Sequence, residues 1–220
     1  MKRILAVAWL IQALAAVVLP AAAQQHMHNA PHSFDDPAKW AREFDNPERD
    51  AWQKPEEVIK ALALRPDARI ADIGAGTGYF TVRLAKAVPE GTVFAVDLEE
   101  TMLTHIAMRA RHMNLPNVRT VKGSTTSPNL TEPVDLVLMV NTYHHIDARP
   151  DYMKKVAAML SPGGRIAVLD FRVEASHGAP RHMRLAPEKI KQEMEAAGLV
   201  EVAAHDFLPS QIFLVFGLKK

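Results

Sequence analysis

The chain has 220 residues, 48% hydrophobic and 23% charged, with a formal net charge of +1. That length fills one core well and is too short for two sizeable domains. The near-neutral balance, with no interior Lys/Arg cluster, argues against a nucleic-acid partner, and the lack of cysteine excludes disulfides, thiolate metal ligands and a cysteine nucleophile.

The start, "MKRILAVAWLIQALAAVVLPAAAQQ", has Lys2 and Arg3, then sixteen uncharged residues from Ile4 to Leu19, then Ala21 and Ala23 ahead of Gln24. A basic start, an apolar run and a small-residue end predict a secretory signal over residues 1–23. The apolar run is brief for a membrane span of about 20 residues, so no stable membrane anchor is expected. Cleavage near Ala23 removes Lys2 and Arg3 and takes the formal charge from +1 to −1. The expected location is periplasmic or secreted, with a cytoplasmic location as the alternative.

Residues 24–52 read as a polar N-terminal arm with a short helix. His26, His28 and His32 fit a solvated arm better than a metal site, and no metal is assigned to the chain. Trp40, Phe44 and Trp52 recur at four and eight residues, a face that a short helix can lay on the domain or over a pocket.

From residue 53 to 220 the pattern is that of a single domain. "PEEVIKALAL" has a helix-starting Pro55, Glu56 and Glu57 in its first turn, and apolar Val58, Ile59, Leu62 and Leu64. "RIADIG" reads as a strand, "FTVRLAKAV" as a helix, "TVFAVD" as a second strand and "TMLTHIAMRARH" as the helix after it. "NVRTVKG" and the almost wholly apolar "VDLVLMVN" are the third and fourth strands, "PDYMKKVAAML" a helix and "GGRIAVLDF" the fifth strand. A long connector, "RVEASHGAPRHMRLA", leads to helix "PEKIKQEMEAAG" and then to "LVEVAAHDF" and "QIFLVFG", close enough for an antiparallel hairpin. Alternating strands and helices predict an α/β fold, a mostly parallel sheet covered on both faces. Its ligands belong at the C-terminal edge of the strands.

The sharpest motif is "ADIGAGTGYF". A strand ends at Asp72, and Gly74, Gly76 and Gly78 then turn the chain into a helix start. The spacing is Gly-x-Gly-x-Gly. A dinucleotide fingerprint needs a second residue before the last glycine, and an ATPase phosphate loop needs a following Lys-Ser or Lys-Thr. Asp97 ends the next strand, where a carboxylate can accept two hydrogen bonds from a ribose diol.

Taken together, "DIGAGTGYF", "VFAVDLEETML", "VDLVLMVNTYHHI" and "LSPGGRIAVLDF" resemble the class I S-adenosylmethionine-dependent methyltransferases over most of residues 53–217. The resemblance implies a Rossmann-like three-layer sandwich around a seven-stranded sheet with an antiparallel C-terminal edge hairpin. It implies S-adenosyl-L-methionine as cofactor. The loop residues Asp72, Gly74, Ala75, Gly76, Gly78 and Tyr79 would then surround its methionine part. Asp97 would bind the ribose hydroxyls and Leu98 would flank the adenine. Many members carry Gly-Asp after strand three; here the pair is Gly123-Ser124, so Ser124 and Thr125 are left to meet the adenine edge. Asn141 stands at the strand-four end of the same site.

A sulfonium methyl is already activated, so such an enzyme chiefly aligns its acceptor in a shielded site. Tyr143, His144 and His145 follow strand four and are the catalytic candidates; of the two adjacent histidines, one is expected to face the pocket and the other to pack. Asp170, Arg172 and His182 are candidates for holding the substrate, with His177 and Arg184 in the same connector. Glu99 and Glu100 serve the start of the following helix by their charge. The expected activity is methyl transfer to a small-molecule acceptor by a monomer or homodimer. The alternative is an exported, non-catalytic binding protein that keeps the fold.

Overall fold

The computed structural model describes residues 36–219; the expected signal and His26, His28 and His32 lie outside them. Helices α1 (Pro37–Phe44) and α2 (Glu48–Gln53) precede α3 (Pro55–Leu62). Strand β1 (Arg69–Ile73) then begins an alternation with α4 (Thr81–Ala87), β2 (Thr92–Asp97), α5 (Glu100–His112), β3 (Val118–Lys122) and β4 (Val134–Val140). A short 3₁₀ turn at Tyr143–His145 leads to α6 (Arg149–Ala157) and β5 (Leu160–Phe171). The chain ends with α7 (Pro187–Ala196), β6 (Leu199–His205) and β7 (Gln211–Leu218).

The described residues form a seven-stranded sheet in the order β3-β2-β1-β4-β5-β7-β6. Strands β1 to β5 pair in parallel, and β7 runs antiparallel to both of its neighbours. The hairpin is therefore at the edge, as the sequence predicts, but its second strand is the inner one and β6 is outermost. Strand order reverses between β1 and β4, and the crevice outside their carboxyl ends is where open α/β sheets bind ligands.

Side-chain alternation divides the core between the two faces of the sheet. On one face Ala71, Ile73, Val137 and Met139 pack with Met153 and Val156 of α6 and with Ile190 and Met194 of α7. On the other, Ile70, Leu136 and Leu138 pack with Val58 and Leu62 of α3 and with Leu84 of α4. Leu62 and Leu84 are essentially fully buried, so truncating either to alanine costs about 2–5 kcal/mol.

The N-terminal arm contains two helices instead of one. Asp45, Asn46 and Pro47 break the run, so Trp40 and Phe44 stack on α1 at 5.1 Å while Trp52 faces elsewhere from α2. Trp52 meets Phe171 at the end of β5 and His177 in the connector, with ring centroids 5.7 and 5.0 Å away. The connector folds around Arg184, whose guanidinium donates to the carbonyls of Ala179, Ala175, Val173 and His177. Its charge is spent on its own loop. No helix of the described residues is long and apolar enough to cross a membrane.

Candidate active site

The loop after β1 has a left-handed backbone at each glycine, with φ of 74° at Gly74, 55° at Gly76 and 82° at Gly78. At Gly74 a Cβ would sit 2.2 Å from the Thr142 hydroxyl, so the β1 and β4 ends approach each other only because it is absent. At Gly76 a Cβ would come within 3.5 Å of the Phe44 ring, so α1 lies directly over the loop.

Asp97 is clamped at the end of β2. One carboxylate oxygen accepts the Gly76 N–H at 2.8 Å and the other the Glu99 N–H at 2.9 Å. Each oxygen keeps a further lone pair, so the group is oriented by backbone and still able to accept a diol. Leu98 beside it is 47% exposed, an apolar face left open next to that carboxylate. Asp72 is buried at the end of β1 and accepts the Thr81 hydroxyl at 2.6 Å. Burial, with the negative charge of Asp97 adding to it, pushes its pKa up to about 6 against the bond from Thr81. Thr77, in the same loop, has a buried hydroxyl with no hydrogen-bond partner among the described residues. A fixed diol acceptor, a buried acid at the strand end and an unsatisfied loop hydroxyl suit a ligand with ribose hydroxyls and a cationic amine.

Across the crevice, His144 and Asp170 form a buried pair. His144 Nδ1 lies 2.7 and 2.9 Å from the two Asp170 oxygens, and its backbone N–H donates to the same carboxylate at 3.2 Å. The Phe171 N–H completes the carboxylate's set at 2.8 Å. A carboxylate holding Nδ1 fixes the ring and leaves Nε2 as the proton acceptor; Nε2 has no hydrogen-bond partner among the described residues. His145 is exposed, its ring 4.2 Å from that of His144. Of the two histidines, His144 is buried and His145 is exposed.

Residues 70–164 match the family model of the methyltransferase domain. The chain is 30% identical over 163 residues to a trans-aconitate 2-methyltransferase of Deinococcus radiodurans, covering 73% of this chain and 60% of that enzyme. A demethylmenaquinone methyltransferase of Bacillus mycoides is 27% identical over 130 residues, covering 54% of this chain and 51% of that one. The chain thus spans less than two thirds of either relative. A solved S-adenosylmethionine-dependent methyltransferase from Aquifex aeolicus superposes with a TM-score of 0.75 at 23% identity, covering 82% of this chain and 97% of that one. Residues 70–164 thus match a methyltransferase domain, and the fold is that of the solved methyltransferase.

The other predicted residues are placed as follows. Ala75 and Tyr79 are buried in the glycine loop, and the Tyr79 hydroxyl donates to Asp50. Ser124 closes a tight turn with Ser127, donating its hydroxyl to the Ser127 carbonyl at 3.2 Å, and leaves Thr125 exposed at the tip. Asn141 has φ of 54° and accepts from Gln211 at 2.6 Å. Tyr143 is not on a pocket wall; it is fully buried, its hydroxyl donating to Glu193 at 3.0 Å beside Arg149. Asp170 faces inward to His144 and is nearly unexposed, which gives it a partner other than the acceptor. Arg172 is half-buried and His182 is exposed, and no bond joins either to the crevice residues described above.

Arg49, Gln53 and Gln211 were not singled out by the sequence. They are spaced too widely, and too far outside the motif block, to signal a site. Among the described residues no group of three or more His, Asp or Glu could hold a metal ion. A shallow groove at the opposite, N-terminal edge of the strands, near Arg65, Asp135 and Gly163, contains none of these residues.

Proposed function

We propose that the protein transfers the methyl group of S-adenosyl-L-methionine to a hydroxyl or amine of a small molecule, with His144 as general base. The observation that carries this reading is the buried His144–Asp170 pair across the crevice from the glycine loop. When bound, the cofactor supplies a methyl on a positively charged sulfur. Asp97 would orient the ribose, Asp72 would offer negative charge to the amine, and the glycine loop would admit the ligand close to main chain. His144 Nε2 would take the proton from the acceptor's oxygen or nitrogen. Asp170 holds Nδ1 protonated and stabilises the imidazolium that results. Phe44 over Gly76 and Trp52 against Phe171 and His177 place apolar surface around the crevice and limit water there.

The near-neutral chain with no basic track supports a small acceptor over a nucleic acid. The pattern over residues 1–23 supports export to the periplasm or beyond, which N-terminal sequencing of protein recovered from cells tests directly.

Calorimetric titration of the purified protein with S-adenosylmethionine and S-adenosylhomocysteine tests the main reading. Binding is expected for both; no heat at millimolar ligand overturns it. Asp97→Ala should weaken both ligands about 100-fold or more, the loss of charge-assisted bonds to two hydroxyls. Unchanged affinity would place the ribose elsewhere.

A further inference from the structure

Tyr79, at the end of the glycine loop, is flanked by two cations. The guanidinium carbons of Arg49 and Arg83 each lie 4.0 Å from its ring centroid. Their surroundings differ. Arg83 is matched by carboxylates, with Asp50 at 3.3 Å and Glu56 at 3.5 Å. Arg109, the next cation along the loop, pairs with Asp45 at 2.8 Å and donates to the Thr77 carbonyl. Arg49 has no carboxylate partner among the described residues. It donates from Nε to Gln53 and from Nη1 to the Phe44 carbonyl at 2.6 Å, and no acceptor for Nη2 exists among the described residues.

A half-buried cation with no carboxylate bonded to it is costly and uncommon. Burial lowers the Arg49 pKa to about 10, a measure of that cost. The charge is held where a ligand's amino-acid end would arrive. Phe44, which anchors Nη1, covers Gly76, and two carboxylates, Asp45 (already paired with Arg109) and then Asp72, lie within electrostatic reach of the guanidinium. An α-amino acid is a zwitterion, and a site that takes it whole needs an anion for the ammonium and a cation for the carboxylate. Asp72 is the buried anion at the strand end. The cations around the loop other than Arg49 are already neutralised.

We infer that Arg49 receives the α-carboxylate of the cofactor's amino-acid end, reaching it from the N-terminal helices. The inference rests on the S-adenosylmethionine reading above. It assigns part of the cofactor site to a residue outside the segment, 70–164, that matches the methyltransferase family model. Arginine suits the task because its planar fork can present two parallel N–H groups to a carboxylate and its charge persists when desolvated. The remaining donors, including both on Nη2, supply that fork. The bonds to Gln53 and Phe44 set its orientation beforehand, so little rotamer entropy is lost on binding.

The test compares S-adenosylhomocysteine with its decarboxylated analogue, which keeps the adenosine, the sulfur and the amine. The wild-type protein should bind the intact ligand about 10-fold to 100-fold more tightly than the analogue. Arg49→Gln should remove that preference by weakening the intact ligand while leaving the analogue nearly unchanged. Arg49→Lys, which keeps charge without the fork, should restore part of the preference. Equal wild-type affinity for the two ligands overturns the assignment without recourse to any variant, even if Arg49→Gln fails to fold. A preference that survives intact in folded Arg49→Gln overturns it as well. If the wild-type protein binds neither ligand, the cofactor reading itself falls and this assignment with it. Binding of both with no discrimination leaves that reading standing and removes only Arg49.

Discussion

Gln53 donates its side-chain amide to Gln211 at 2.8 Å, across 158 residues of sequence, and both side chains are fully buried. Gln211 passes the contact on, donating to Asn141 at 2.6 Å, and Gln53 accepts from Arg49. A line of amides therefore runs from the N-terminal helices through the first residue of β7 to the end of β4. Every member uses both ends of its side chain or is fixed by backbone, so the line has few alternative arrangements.

Replacing Gln211 with leucine leaves a donor on Gln53 and an acceptor on Asn141 unpaired in the interior. The expected loss of stability is about 2–4 kcal/mol, since each buried orphan costs roughly 1–3. Urea unfolding followed by circular dichroism measures it. Affinity for S-adenosylhomocysteine should fall with it, because α2 loses its anchor to the sheet; stability lost with affinity retained would separate α2 from the site.

Asp170→Asn tests the buried pair. An amide presents its NH2 to Nδ1 or else forfeits the backbone donors, so His144 is driven to the wrong tautomer. Turnover of an accepted substrate should drop about 100-fold to 10,000-fold while affinity for S-adenosylhomocysteine stays within about twofold. Long-range proton–nitrogen NMR spectra of the imidazole supply a readout independent of any substrate. An unaltered tautomer would remove Asp170 from its positioning role.

Asp72 makes ligand binding depend on pH. Its pKa in the folded protein is about 6, above the ordinary value of 3.8, so between about pH 4 and 6 the unliganded protein holds a proton there that the unfolded chain has lost. Folded-state stability from this group is accordingly greatest below about 4 and falls as pH rises towards 6. Binding of an ammonium favours the ionised carboxylate and reverses the preference. Affinity for S-adenosylhomocysteine should be full above about pH 6 and decline as pH falls through it. Asp72→Asn should flatten that profile, weaken binding, and raise the stability of the unliganded protein at pH 7.5 by on the order of 1–3 kcal/mol. A profile that keeps its slope in Asp72→Asn would assign the titration to another group.

Truncating Arg184 to alanine leaves four carbonyls of the connector without their shared donor. The connector should become protease-sensitive between residues 173 and 183, with a modest global loss of about 1–2 kcal/mol. Limited proteolysis with mass spectrometry locates the cuts; a protected connector would mean that Trp52 and Phe171 hold it unaided.

The sheet was legible because parallel strands buried on both faces are written as continuous apolar runs, as in "VDLVLMV", and because three glycines follow an acid at one strand end. The place of Asp97 at the end of β2 was legible for the same local reason. Tyr143 misled, since a tyrosine beside two histidines after β4 looks like a site residue, and only the fold brings Glu193, 50 positions away, to its hydroxyl. The partnership of His144 with Asp170 and the isolation of Arg49 depend on which residues arrive nearby. No spacing in a single sequence records that.

The position of β7 also bears on the order in which the molecule can be made. This strand, ending at Leu218, lies between β5 and β6 and brings Gln211 to Gln53, so the first helices and the last strand secure each other. Until β7 leaves the ribosome, β5 has an open edge, β6 has no strand to pair with and Gln53 of α2 lacks its partner. The sheet therefore stays incomplete until β7 has been synthesised, although β1 to β5 precede it by many residues.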